Sequence, residues 1–180
     1  MALKIKKILI SQEQLEAKIK ELGEQISKDY QGKCPVLVGL LNGAVPFMAQ
    51  LIKNISCDME TQYMDVSSYE GGITSLGQVR INKDLDIPIE NRDVLIVEDI
   101  VDTGLTLNTI TTMLKNRLAK SVTVACLLDK RVKRKCDVEI KYIGFNIPDE
   151  FVVGFGLDYN ELLRNLPYIG ILDTEELKEA

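Results

Sequence analysis

Residues 94–107 read Val-Leu-Ile-Val-Glu-Asp-Ile-Val-Asp-Thr-Gly-Leu-Thr-Leu. The apolar run Val94–Val97 is the pattern of a strand buried on both faces. It ends in two adjacent carboxylates, Glu98 and Asp99, and passes into Asp102-Thr103-Gly104-Leu105-Thr106. Leu107, Ile110, Leu114 and Leu118 then recur at 3-4-4 spacing, which marks a helix. A strand, a turn of small and hydroxyl residues and a helix make a phosphate cradle, because the first helical N–H groups have no partner within the helix. Three carboxylates beside that cradle would repel a bare nucleotide. They suit a ligand whose vicinal hydroxyls donate to Glu98 and Asp99, or one that carries Mg²⁺. A sugar phosphate meets both conditions. Taken singly, each of these residues is better read as an ordinary helix cap or a solvated acid. It is the whole constellation that argues for a site.

Outward from this stretch, Ser11-x-x-Gln14 has capping-box spacing, and Leu15, Ile19, Leu22 and Ile26 predict a helix ending near Gly32. Pro35–Leu41 is a second buried strand. Asn42-Gly43 breaks it before a helix carrying Phe47, Met48, Leu51 and Ile52. Further strands are predicted at 57–66, 78–82, 122–128, 142–145, 151–155 and 169–172. Residues 160–164 read as a helical turn. Ser67–Gly77 holds three glycines and three serines with no periodicity, so it predicts a mobile loop. The acidic tail from Asp173 is expected to fray. Strands alternating with helices predict an α/β fold, a mainly parallel twisted sheet with helices on both faces. Ligands of such sheets bind at the carboxyl ends of the strands.

Composition narrows the chemistry. The chain has 180 residues, and 22 Lys+Arg against 27 Asp+Glu leave a formal charge of −5. One domain is expected from 1 to 180. There is no histidine, which excludes Ser-His-Asp and Cys-His catalysis and imidazole metal sites. Proton transfer must fall to carboxylates, Lys, Tyr or Cys. The four cysteines lack C-x-x-C spacing and read as reduced thiols. No apolar run reaches the roughly 18 residues of a membrane span, and the start is too short in apolar residues for a signal peptide. These features give the expectation of a cytoplasmic protein with no membrane and no nucleic-acid partner. There is no G-x-x-x-x-G-K-[ST], and Gly154-x-Gly156 lacks the third glycine of a dinucleotide fingerprint.

The stretch Val94–Leu107 resembles the phosphoribosyl-pyrophosphate (PRPP) motif of type I phosphoribosyltransferases. Leu41-Asn42-Gly43-Ala44, the loop at Ser68-Tyr69, Lys130-Arg131 and Phe151–Pro167 (FVVGFGLDYNELLRNLP) resemble the hypoxanthine-guanine branch of that family. The resemblance runs from about Val36 to Leu172 in the family's order. It implies a core sheet plus a small hood over a purine site, formed mainly by residues 145–180. It implies Mg²⁺-dependent transfer of the 5-phosphoribosyl group from PRPP to N9 of hypoxanthine or guanine, with release of pyrophosphate. Glu98 and Asp99 would take the ribose hydroxyls and the metal, and Asp102–Thr106 the 5′-phosphate, with Leu105 standing where some relatives carry lysine. Asp102 would be the general base at purine N7, although an unperturbed carboxyl, at about 3.9, is a weak base. Lys130 would donate to the 6-oxo group, selecting a 6-oxopurine over adenine. Phe151 would stack on the base, with Ile100 and Val152 beside it. Asp158 would contact the purine and hold Mg²⁺. Asn42, Gly43 and Arg164 would meet pyrophosphate, through a Leu41–Asn42 peptide that is often cis in the family. Asn42 lacks the cation that relatives commonly carry there. Ser68 and Tyr69 would belong to a loop that closes over the site. A homodimer or homotetramer is implied by analogy.

Two readings compete with this one. A transferase preferring xanthine, or hypoxanthine much over guanine, differs only in how the purine 2-position is read. A PRPP-sensing regulator would bind nucleic acid through Lys130–Lys135, but six residues are a small patch on an acidic protein. Within that run, Lys133, Arg134 and Lys135 are read as a solvated face.

Overall fold

The computed structural model describes residues 3–68 and 79–173. In chain order the first half forms β1 (Ile5–Ile10), α1 (Gln12–Asp29), β2 (Val36–Leu41), α2 (Val45–Ile52), β3 (Glu60–Ser68) and β4 (Val79–Lys83). The second half forms β5 (Asp93–Val101), α3 (Leu105–Asn116), β6 (Ser121–Asp129), a 3₁₀ turn at Arg131–Lys133, β7 (Tyr142–Asn146), β8 (Val152–Val153) and β9 (Ile169–Leu172).

Six strands build the central sheet in the order β4-β3-β2-β5-β6-β7, with every pair parallel except β3–β4. Side chains alternate across a strand, so each strand feeds two cores. Leu37, Leu95, Val97, Ala125 and Leu127 pack against Leu15, Ile19, Leu22 and Ile26 of α1 and Phe47, Met48 and Leu51 of α2. Val36, Val38, Val94, Ile96, Val124 and Cys126 pack against Leu107, Ile110 and Leu114 of α3 on the opposite face. The expected α/β layering, helices on both faces of a mainly parallel sheet, is thus present. The capping box also forms. Ser11 Oγ accepts from Gln14 N at 3.3 Å, and Gln14 Oε1 accepts from Ser11 N at 2.8 Å.

Four expectations need correction. First, β5 does not stop before Glu98. It continues to Val101, where Ile100 pairs with Leu128 and Val101 with Asp129, because its neighbour β6 offers a ladder that far. Second, Ser67 and Ser68 are not loop. They close β3 by pairing with Arg80 and Val79. Tyr69 and the rest of the expected loop lie outside the described residues. Third, 160–164 is not helical. Tyr159 and Leu162 exchange both backbone hydrogen bonds, with Asn160 and Glu161 at φ 49° and 64°. Positive φ at both central residues is the signature of a type I′ hairpin turn. Fourth, the N-terminal residues form β1, the edge of a second antiparallel sheet ordered β1-β9-β8. The segment from residue 145 to 173, expected to carry the hood, therefore has an N-terminal partner. The short strand at 151–155 shrinks to Val152–Val153 and belongs to this second sheet.

Candidate active site

The parallel strands β2, β5 and β6 end on one side of the sheet, at Leu41, Val101 and Asp129. The loops leaving them converge. The Leu41–Asn42 peptide is cis. Gly43 follows it, and a Cβ there would overlap Asp99 Oδ2. A Cβ on Gly156 of the hood segment would in turn overlap the Gly43 carbonyl. Gly43, one of the two pyrophosphate-loop candidates, is thus pressed against Asp99 from β5 and the 154–157 turn. Only glycine permits this approach.

Glu98 and Asp99 sit side by side, and Asp99 N donates to Glu98 Oε1 at 3.3 Å. Asp99 Oδ1 accepts from Ile100 N at 2.8 Å. Burial, then the neighbouring Asp99 charge, hold the Glu98 carboxyl well above the ordinary carboxylate range. Two close carboxylates with that cost are a natural partner for hydroxyl donors or for a cation.

Past Val101 the chain turns at Asp102 and Thr103 and enters α3 through Gly104, at φ 79° and with no side-chain cap. The first N–H groups of α3 thereby remain available to an anion, and Leu105 N reaches only Thr103 Oγ1, at 3.4 Å. Glu98, Asp102, Thr103, Gly104 and Thr106 border a recess of about 150 Å³ at this point. Asp102 Oδ1 is buried without a hydrogen-bond partner among the described residues.

Lys130 follows β6 directly. It is 7% exposed, and its backbone N–H donates to the Val101 carbonyl at 3.0 Å. Its ammonium pairs with Asp149 Oδ1 at 3.0 Å and donates to the Glu150 carbonyl at 3.2 Å. Asp102 Oδ2 lies 3.9 Å from it. The run Lys130–Lys135 is therefore not one basic face. Lys130 turns inward, Lys133 pairs with Asp149, Arg131 pairs with Asp129, and Arg134 is drawn in as well. This corrects the reading of Arg134 as solvated. Its signal lay only in the tertiary pairing with Asp129, a side chain 1% exposed at the end of β6.

The hood supplies the remaining candidates. Phe151 is 47% exposed, not part of the core, and meets the Tyr159 ring edge-on at a centroid distance of 5.8 Å. Its exposed ring suits stacking, and Tyr159 braces it. Val152 is buried in β8 and Ile100 is half-buried on β5. Asp158 and Arg164 form an ion pair at 2.9 Å, and Asp158 Oδ2 also accepts from Glu161 N at 2.9 Å. Arg164 reaches the Gly156 carbonyl at 2.8 Å and Glu161 at 3.0 Å, while its Nε is buried without a partner among the described residues. The Arg164 fork thus holds the 156–161 turn together. Asp149, Asp129 and Tyr159 are additions that residue spacing did not signal. Of the loop pair, Ser68 ends β3 and Tyr69 lies outside the described residues.

Among the described residues no group of three or more acidic, Cys or His side chains gathers as a cage for a metal. Glu98 and Asp99 form a two-carboxylate donor set. That set fits a Mg²⁺ ion delivered by a phosphorylated substrate, since Mg²⁺ usually keeps its waters and takes one or two protein carboxylates. No helix among the described residues is long and apolar enough to cross a membrane.

Comparison with known proteins adds the following. A family model described as a phosphoribosyl transferase domain matches residues 8–160. The chain is 55% identical over 171 residues to hypoxanthine-guanine phosphoribosyltransferase of Streptococcus mutans, covering 95% of each chain. It is 54% identical over 171 residues to the Staphylococcus aureus protein of the same name, covering 95% of this chain and 96% of the other. A crystal structure of Staphylococcus aureus hypoxanthine phosphoribosyltransferase superposes with a TM-score of 0.92 at 54% identity, over 96% of this chain and 94% of that one. A hypoxanthine-guanine phosphoribosyltransferase from Bacillus anthracis, crystallised with HEPES in its active site, superposes with a TM-score of 0.90 at 41% identity, over 96% of this chain and 100% of that one.

Proposed function

The chain belongs to the phosphoribosyltransferase family, in its hypoxanthine-guanine branch, and from that premise we propose which side chains bind, orient and carry protons. The reaction serves purine salvage. The bond from ribose C1′ to the pyrophosphate oxygen breaks, a bond from C1′ to purine N9 forms, and the purine loses a proton. Hypoxanthine gives IMP and guanine gives GMP.

The observation that carries the assignment is the pair formed by the buried, unpartnered Asp102 Oδ1 and the inward Lys130 ammonium, with Asp102 Oδ2 3.9 Å from that ammonium. N7 and the 6-oxo oxygen lie side by side on one edge of a 6-oxopurine. An acceptor beside a cationic donor matches that edge. Asp102 takes the N7 proton and Lys130 donates to the 6-oxo group. Adenine would set its amino donor against the Lys130 donor, which disfavours it. Phe151 covers the face of the base, and Ile100, Val152 and Asp158 border its edges.

The carboxylates Glu98 and Asp99 accept from the ribose hydroxyls. Backbone N–H groups of Thr103–Thr106 hold the 5′-phosphate, with the α3 dipole behind them. Asn42, Gly43 and the buried Nε of Arg164 face the departing pyrophosphate. Glu98, Asp99 and, through water, Asp158 would hold a Mg²⁺ ion carried by PRPP. When bound, it neutralises charge on the leaving group. The chain is read as one domain in which the β1-β9-β8 sheet is the hood. Working as a homodimer or homotetramer in the cytoplasm completes the proposal, and the four free cysteines accord with a reducing compartment.

The test is PRPP-dependent nucleotide formation followed by absorbance, with and without Mg²⁺, on hypoxanthine, guanine and xanthine. Activity on the first two, abolished by chelation, is expected. Asp102→Asn is expected to retain PRPP binding and to lower kcat by about 10²-fold or more, the range for loss of a general base. Undiminished turnover would remove Asp102 from proton transfer.

A further inference from the structure

We propose that Arg134, anchored by Asp129, is a positioning residue that presets the 5′-phosphate loop by holding its backbone carbonyls outward. The proposal rests on reading residues 102–106 as that loop. A backbone segment can direct its N–H groups at an anion only if its carbonyls are satisfied elsewhere, because each buried carbonyl needs a donor.

Here the segment following Lys130 supplies those donors. Arg134 Nε donates to the Asp102 carbonyl at 3.1 Å, and its Nη2 donates to the Val101 carbonyl at 3.3 Å. The backbone N–H groups of Lys135 and Cys136 donate to the Thr103 carbonyl at 2.9 and 3.3 Å. Three successive carbonyls, 101 to 103, are thereby fixed from one side. The same segment packs where a Gly104 side chain would stand. The nearest atoms to a Cβ there are Arg134 Cδ at 3.0 Å, the Cys136 carbonyl at 3.2 Å and Val138 Cγ2 at 3.2 Å. Arg134 is itself held by Asp129 Oδ1, a buried carboxylate at the end of β6. The planar guanidinium serves a carboxylate and two carbonyls at once from a fixed fork. A lysine in its place has a compact charge with no fixed fork.

The Arg134 guanidinium is committed to Asp129 and two backbone carbonyls, so its effect passes through the loop. It should fall on the phosphate and not on the base. The chain is assayed with PRPP and hypoxanthine varied separately, and the affinities for IMP and for inosine, which lacks the 5′-phosphate, are measured by calorimetry. For Arg134→Met we expect KM for PRPP to rise by about tenfold, kcat to fall and KM for hypoxanthine to stay within about twofold. IMP affinity should drop by a similar factor while inosine affinity holds. Arg134→Lys, which keeps the charge and loses the fork, should show the same pattern at smaller size. It also stands in for the Met variant if that one fails to fold by circular dichroism. Asp129→Asn should reproduce the pattern by freeing the guanidinium. A folded variant with unchanged PRPP and IMP constants, or one that loses IMP and inosine equally, overturns the positioning role. Absence of PRPP-dependent turnover in the unsubstituted protein would instead overturn the functional reading on which the role rests.

Discussion

Lys130 has three N–H bonds, and its surroundings commit two of them. Asp149 takes one at 3.0 Å and the Glu150 carbonyl another at 3.2 Å, which leaves the third for a ligand. Lys130 and Lys133 together hold the Asp149 carboxyl below its ordinary range. A donor fixed in direction costs less entropy on binding than one that must be recruited. Asp149→Asn keeps the shape but removes the charge that anchors the ammonium. KM for hypoxanthine is expected to rise by about threefold to tenfold with KM for PRPP unaltered. Unaltered hypoxanthine kinetics would mean that the Glu150 carbonyl alone orients Lys130. Lys130 itself was legible from its place after an apolar strand, in a segment with a family pattern. Asp149, 19 positions further on, was not, because its role exists only once β7 returns the chain to the site.

At the scale of elements, α3 has to be held at both ends. Its first turn borders the recess at Glu98 and Asp102, and the chain just past its last turn is tied to the chain after β4. There Arg117 donates to both oxygens of Asp84, at 2.7 and 2.6 Å. The Arg117 hydrogen bonds hold the Asp84 carboxyl below its ordinary range. A carboxyl with a lower pKa in the folded than in the unfolded state stabilises the fold above its unfolded value, about 3.9. That contribution disappears as pH falls through the folded value. The pair is partly exposed, so its contribution is under about 1 kcal/mol. Arg117→Gln should therefore lower Tm by about 1–3 °C at pH 7 and by distinctly less at pH 3. Equal shifts at the two pH values would discard the ionic account. The helix was readable from Leu107, Ile110 and Leu114, but its start at Leu105 was not, because an uncapped glycine at positive φ is a signal for a ligand as much as for a helix end.

For the molecule as a whole, the two sheets divide the labour. The six-stranded sheet brings the loops after β2, β5 and β6 to one side, and the β1-β9-β8 sheet carries Val152 beside Phe151 above them. The strand β9 lies in the middle of the small sheet and pairs with β1 along Ile5–Ile10. Deleting the first ten residues strips β9 of one of its two neighbours and bares Ile169 and Ile171, both buried. The truncated chain is expected to lose thermal stability and to show a higher KM for hypoxanthine than for PRPP relative to the full chain. Equal effects on both substrates would mean that the small sheet does not serve the base specifically.

Sequence alone determined the elements whose signals are local. The nearly continuous apolar runs of β2, β5 and β6, the 4-3-4 spacing of α1, the Ser11–Gln14 box and the acidic turn at 98–106 each depend on neighbours within a few residues. The absence of histidine likewise confined proton transfer to carboxylates, Lys, Tyr or Cys before any fold was known. The tertiary structure decided what depends on pairing over long separations. It drew β1 beside β9 and turned Arg134 from a surface charge into a clamp on the loop of Asp102. The physical reason is the same in each case: a hydrogen bond or ion pair across 30 or more positions is fixed by where the sheet delivers its partner, and no local pattern encodes that.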